Sequence, residues 1–380
     1  MNDSPYLKIL LLADYGASGG TRTYVKQLLA LYAEKHVHVS LLRIYKDEEI
    51  DRLCDAYGFN CFELSDIYQA SNIANLRWPL QTLLERHFFK TFVRNIGADI
   101  VVASVGTPEL FLGATSLSKH SLYILHTYPG KGAVTYKRLL RRLINLFLIP
   151  RQTKVLTVSQ YSKQKIIECW GLMRREDKVS VVYSTMGPAK GMNNHTQSEY
   201  KMVLTVGHVV DYKNPTTWLC MAIEVNRKFS ELKVHFVWVG DGLLLEEFRN
   251  KVNELGASNY ISFVGYKSDV DKYYRECDIY VQPSRIESLG LSVIDALRHG
   301  IPCIVSNTGG LPEVVVDGET GWIIDSEDFR GFANCIESLL VDSQLRDLFG
   351  QQALERYDAF FSEKRWSEFM WSHHTSIMEV

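Results

Sequence analysis

The sequence has no Cys-x-x-Cys pair, and no histidine stands at zinc spacing from its seven cysteines, at positions 54, 61, 169, 220, 277, 303 and 335. An odd, scattered set of thiols excludes a disulfide framework and a structural zinc site. It fits reduced, mostly buried cysteines in a cytoplasmic protein. Net charge is nearly absent as well: 42 Lys and Arg face 44 Asp and Glu, leaving −2, so nothing draws the whole molecule toward nucleic acid, which is not an expected partner. No apolar run approaches the length of a membrane span. The short run from Ile9 to Ala13 is too brief for a signal peptide and leads straight into Asp14. No repeat or low-complexity tract appears. The expectation is a cytoplasmic protein, soluble or held peripherally at the inner face of the membrane.

What is present is alternation. The 380 residues are enough for two to three domains. Apolar runs suited to strands buried on both faces occur at 7–13, 37–44, 100–103, 121–125 and 155–158, with helix-patterned segments between them. Residues 186–199 lose the periodicity and read as a linker. The alternation restarts with strand-like runs at 202–206, 233–239, 260–264, 279–282 and 302–306. This order predicts an α/β protein with two doubly wound, Rossmann-like domains. The expected divisions are residues 1–190, residues 200–362, and a C-terminal helix at 363–380 whose Trp366, Phe369 and Trp371 suit docking.

The richest segment is Pro283-Ser-Arg-Ile-Glu287-Ser288-Leu289-Gly290-Leu-Ser-Val-Ile-Asp295, a strand-to-helix junction with a carboxylate on each side of a small-residue turn. Carboxylates eight positions apart on such a junction lie roughly 10 Å from each other. The backbone N–H groups of Ser288, Leu289 and Gly290 are expected to open the helix, where unpaired donors suit a diphosphate. Upstream stand Gly207-His208-Val-Val-Asp-Tyr-Lys213-Asn-Pro, then Val239-Gly-Asp-Gly242, Phe263-Val-Gly265-Tyr266 and Asn307-Thr-Gly-Gly-Leu-Pro-Glu313.

These motifs, in this order, resemble those of the family 4 retaining glycosyltransferases (glycosyl transferases group 1), which have the GT-B fold of two Rossmann-like domains facing a cleft. The resemblance covers about residues 6 to 375 and is strongest between 200 and 325. It implies that Glu287 contacts hydroxyls of a donor sugar and that Asp295, in place of a second glutamate, contacts the ribose. Lys213 would clamp the diphosphate, with His208 where the family has an arginine, so that a titratable ring replaces a permanent charge. Gly265 and Tyr266 would receive the base. In the first domain it implies that Gly19 and Gly20 approach the diphosphate and that His126 faces the donor sugar. Arg22 and Arg285 are further candidates for a phosphate contact. The glycine loop does not have the Gly-x-Gly-x-x-Gly spacing, and no acid closes the second strand, which disfavours a nicotinamide cofactor. The resemblance implies no metal and no cofactor beyond the nucleotide sugar itself.

The sequence thus reads as an enzyme that moves a sugar from a nucleoside diphosphate sugar to a glycan, lipid-linked or small-molecule acceptor. Two rivals stand beside that reading. One is a nucleotide-sugar epimerase on the same fold; the other is a non-catalytic scaffold of a glycan-assembly complex, which the departures at 208, 288, 289 and 295 would fit. Residues 137–148 interleave Lys137, Arg138, Arg141 and Arg142 with Leu, Ile and Phe, an amphipathic pattern expected to lie on an anionic lipid surface.

Overall fold

The computed structural model describes residues 7–16, 19–67, 80–107, 110–128, 153–191, 200–229 and 233–379. The basic amphipathic stretch at 137–148 lies outside them. The chain divides into two units, one formed by Met1–Val182 with Ser367–Val380, the other by Tyr183–Trp366. The division falls ahead of residue 190 because the segment after Val182 is held by the second unit. The Tyr183 hydroxyl donates to Glu313 at 3.0 Å, and Thr185 lies 3.2 Å from the Tyr357 hydroxyl.

In the first unit the strands are β1 (Lys8–Asp14), β2 (His38–Arg43), β3 (Asn60–Glu63), β4 (Ile100–Val105), β5 (Ser121–Leu125), β6 (Thr153–Thr157) and β7 (Val179–Val181). They form one parallel sheet in the order β3-β2-β1-β4-β5-β6-β7. Strand β4 is buried along its whole length, as its unbroken run of apolar and small residues requires. Helices pack on the sheet through aromatic and aliphatic side chains, among them Phe89, Phe111, Tyr123 and Trp170. On the last helix, Glu363–Ser376, the buried stripe is Trp366, Met370 and His374, four residues apart. Phe369, expected to dock, is instead 47% exposed because it falls off that stripe. His374 meets the Tyr32 hydroxyl at 2.8 Å, and burial pushes its imidazole down to about 4.

In the second unit β8 (Lys201–Val206), β9 (Val234–Val239), β10 (Ile261–Gly265), β11 (Ile279–Gln282), β12 (Cys303–Ser306) and β13 (Gly321–Ile324) make a second parallel sheet, ordered β10-β9-β8-β11-β12-β13. Its core is aromatic: Trp218 meets Trp238 edge-on at 5.3 Å, and Trp238 stacks on Phe263 at 5.7 Å. Each such ring stabilises the unit by about 1.5–3 kcal/mol through removal from water.

Both sheets reverse strand order at one point, between β1 and β4 in the first and between β8 and β11 in the second. At such a switch the connections leave in opposite directions and open a crevice at the carboxyl ends of the strands, where open α/β sheets bind ligands. The loops that follow β8 and β11 therefore matter most in the second unit, and those that follow β1 and β4 in the first.

Candidate active site

The loop after β8 is set by local chemistry. Asn214 tolerates the left-handed conformation, φ 59°, and caps the helix Pro215–Lys228 by accepting the Thr217 N–H, while Pro215 opens that helix. Its amide also donates to the Ser326 carbonyl at 2.7 Å. Lys213, one residue earlier, is thereby fixed beside the end of β8. The loop is pressed close to the one after β9. A Cβ on Gly240 would lie 2.1 Å from the Gly207 carbonyl oxygen, so only glycine fits there.

The loop after β11 brings Glu287 to Lys213. The Lys213 ammonium and the Glu287 Oε2 form an ion pair, with each side chain only 15% exposed. The same Oε2 accepts a hydrogen bond from the Gln282 Nε2 at 2.7 Å. Gln282 in turn accepts at its Oε1 from the Tyr280 hydroxyl, at 3.0 Å, and from the Ser292 Oγ, at 2.8 Å. The Tyr280 hydroxyl also accepts the Val206 N–H at 3.3 Å, so the network joins β8, β11 and the start of the following helix. Beyond β12, Gly309 has φ +60° and lies so close to the Glu287 carbonyl that a Cβ would come within 1.7 Å of it. The Asn307–Gly310 turn thus shapes the backbone at Glu287.

The remaining positions separate into those at this edge and those turned away from it. His208 and Tyr266 are exposed, at the ends of β8 and β10. Gly265 has φ +74° and accepts the Gly240 N–H at its carbonyl, 3.0 Å away. The helix after Glu287 runs Leu291–Arg298 with Gly290 as its cap, so it starts later than the sequence indicated. Gly290 has φ +103°, a conformation that keeps Ser288 and Leu289 ahead of the helix. Leu289 is buried.

Asp295 lies in an ion pair. Its carboxylate is buried, bonded to the Arg298 Nε at 2.5 Å, and Arg298 also holds Asp271 at 2.8 Å. Burial pushes its carboxyl up to about 6 against the opposing pull of Arg298. A ribose contact by Asp295 would require this pair to open. The signal was readable: Asp and Arg three apart share one helix face. Gln282 was missed although it too left a trace, as a polar residue closing the apolar strand Ile279–Gln282.

At the first unit's switch, Gly19 caps the helix Gly20–Glu34 with φ 111° and has open space around it. The His126 Nε2 lies 3.0 Å from the Ser104 Oγ, and its ring meets Tyr24 edge-on at 4.5 Å. Burial pushes the imidazole down to about 3, so it is neutral at physiological pH. Arg22 is not free for a phosphate: it binds Asp47 through two nitrogens, at 2.6 and 2.9 Å, and Glu49 at 2.7 Å. Arg285 is likewise tied to Glu327 and Asp211.

Residues 191–356 match the family model described as glycosyl transferases group 1. This span carries the loops after β8 and β11. That span is a group 1 glycosyltransferase domain. The chain is 25% identical to an uncharacterized glycosyltransferase of Methanocaldococcus jannaschii over 86% of this chain and 90% of that one. It is also 25% identical to the capsular polysaccharide biosynthesis glycosyltransferase CapM of Staphylococcus aureus, over 80% and 82% of the two chains. Among solved structures, a glycosyltransferase from Rickettsia africae superposes with a TM-score of 0.78 at 18% identity, covering 99% of each chain. The Anabaena protein HepE, solved with UDP and glucose, gives 0.75 at 17% identity over 98% of this chain and 100% of that one. The fold is GT-B.

Proposed function

We propose that this glycosyltransferase moves a sugar from a nucleoside diphosphate sugar to a glycan, lipid-linked or small-molecule acceptor, with retention of the anomeric configuration. The observation that carries the reading is the Lys213–Glu287 pair at the carboxyl ends of β8 and β11. In this reading the donor diphosphate draws Lys213 to itself, and Glu287 takes hydroxyls of the sugar. As the bond from the anomeric carbon to the phosphate oxygen breaks, Lys213 offsets the charge that develops on the leaving diphosphate. The acceptor oxygen forms the new bond and its proton passes to a leaving phosphate oxygen. His126 would present a neutral ring to the sugar. Gly19, Gly20, His208, Gly265, Tyr266 and Gly290 complete the donor contacts. The likeness to CapM, over 80% of this chain, supports a polysaccharide or related glycan as acceptor, and the UDP bound by HepE supports a uridine nucleotide donor.

A thermal-shift screen over UDP, GDP, ADP, CMP and their sugars tests the reading, since a ligand that binds only the folded state raises Tm. One nucleotide and its sugar should raise it, and incubation with acceptor should release the free diphosphate. No shift with any nucleotide would favour the scaffold reading, and donor conversion without acceptor the epimerase. Association with anionic membranes through residues 137–148 is a separate proposal resting on sequence alone. Failure to sediment with phosphatidylserine vesicles at low salt would end it.

A further inference from the structure

We infer that Gln282 is a positioning residue for Glu287, holding the carboxylate in place when Lys213 turns to the donor diphosphate. The inference rests on the function proposed above and assigns a specific task to a residue outside the motifs.

Glu287 Oε2 has two donors, the Lys213 ammonium and the Gln282 amide. A diphosphate competes for the first. A carboxylate only 15% exposed that lost its counter-charge would take up a proton or swing toward water, because an unpaired enclosed charge is costly. The amide of Gln282 remains as a donor that no substrate phosphate can attract. Its direction is fixed as well. The Oε1 receives two hydroxyl protons, from Tyr280 and Ser292, which leaves the NH2 group facing Glu287. Turning the amide over would set its oxygen against a carboxylate. Gln282 is 1% exposed and Tyr280 is fully buried, with its ring stacked on Tyr274 at 5.9 Å, so neither is free to rotate. A side chain that ends an apolar strand and satisfies both ends of its amide in this way aims its neighbour.

The test uses the full chain with its cognate nucleotide sugar and two substitutions. Gln282→Met keeps the volume and removes all three hydrogen bonds. Gln282→Glu keeps the shape and makes the donor depend on pH. Protonated, it donates to Glu287 as the amide does; ionised, it repels Glu287. Gln282→Met should lower kcat about 10- to 100-fold, the scale of one misplaced group, while the KM for the donor stays within about threefold. Gln282→Glu should show a similar deficit at pH 8.5 that shrinks by at least about fivefold at pH 5.5, relative to wild type at each pH. A merely structural glutamine would give Gln282→Glu a constant deficit. Wild-type kcat in Gln282→Met, or a pH-independent deficit in Gln282→Glu, would overturn the inference. If the wild type turns over no donor, the proposed function fails first, and crystal structures of wild type and Gln282→Met decide the positioning role separately. A displaced Glu287 carboxylate supports it, and an unmoved one overturns it.

Discussion

At the carboxyl edge of the second sheet, beside the switch between β8 and β11, a lysine, a carboxylate and a buried amide converge. At the matching edge of the first sheet, beside β1 and β4, polar groups satisfy one another. Asp14 accepts the Thr107 N–H at 2.9 Å, the Thr127 hydroxyl donates to the Gly106 carbonyl at 2.5 Å, His126 is neutral, and Arg22 is held by two acidic side chains. The same strand order has thus been given two chemistries. One edge holds an enclosed ion pair, Lys213 with Glu287. The other offers open glycine backbone and polar groups whose charges are already paired. The difference lies in a few loop residues, which is where function resides in a shared fold.

The comparison breaks most severely at Glu287. Glu287→Gln should lower sugar transfer by at least about two orders of magnitude, since it removes a contact proposed to act on the sugar. Measured kcat within about threefold of wild type would move the sugar contact elsewhere. Gly309→Ala should act on the same residue through the backbone, costing about 1–3 kcal/mol in strain and at least about tenfold in transfer. Gly318→Ala is the control: its φ of +76° is also left-handed, but open space surrounds it, so stability should fall while transfer holds. Equal transfer in both glycine variants would show that the turn after β12 does not set Glu287.

For the first unit the prediction concerns pH. The folded-state pKa of His126 lies near 3, against about 6.5 for a free imidazole. As pH falls below 6.5 the unfolded chain binds a proton that the folded one refuses, so stability is lost progressively toward pH 3. His126→Asn should flatten that acid limb, read as urea midpoints at pH 7 and pH 5. An unchanged difference between the two pH values would mean that His126 is not held neutral. The smallest effect is expected at His208, which is exposed in the loop that carries Lys213: His208→Arg should tighten nucleoside diphosphate binding about three- to tenfold at pH 8. No change by calorimetry would place His208 away from the diphosphate.

Much of this was legible in the chain. Apolar runs announced most strands because both faces of a parallel sheet are buried. The edge strand Asn60–Glu63, half-exposed and carrying polar residues at both ends, gave no such run, and Val179–Val181 is too short to stand out. Lys213 and Glu287 were found because they stand where the motifs of the resembled family keep a lysine and a carboxylate. Their contact with each other was not, since 74 residues separate them and only the strand order brings them together. The Asp295–Arg298 pair went unread because the spacing of two carboxylates says nothing of the partner each will find. Gln282 escaped because a single buried amide acquires meaning only from what its two ends touch.

The central claim is that the second unit binds the diphosphate through Lys213 while Glu287 serves the sugar. Calorimetric titration of the cognate nucleoside diphosphate into wild type, Lys213→Ala and Glu287→Gln tests it most directly. Lys213→Ala should lose about 1.5–3 kcal/mol of binding, the worth of a charge-assisted hydrogen bond, or roughly 10- to 150-fold in Kd. Glu287→Gln should bind as tightly as wild type or slightly better, because it releases Lys213 from its competing partner. Equal losses in the two variants, or undiminished affinity in Lys213→Ala, would contradict the account.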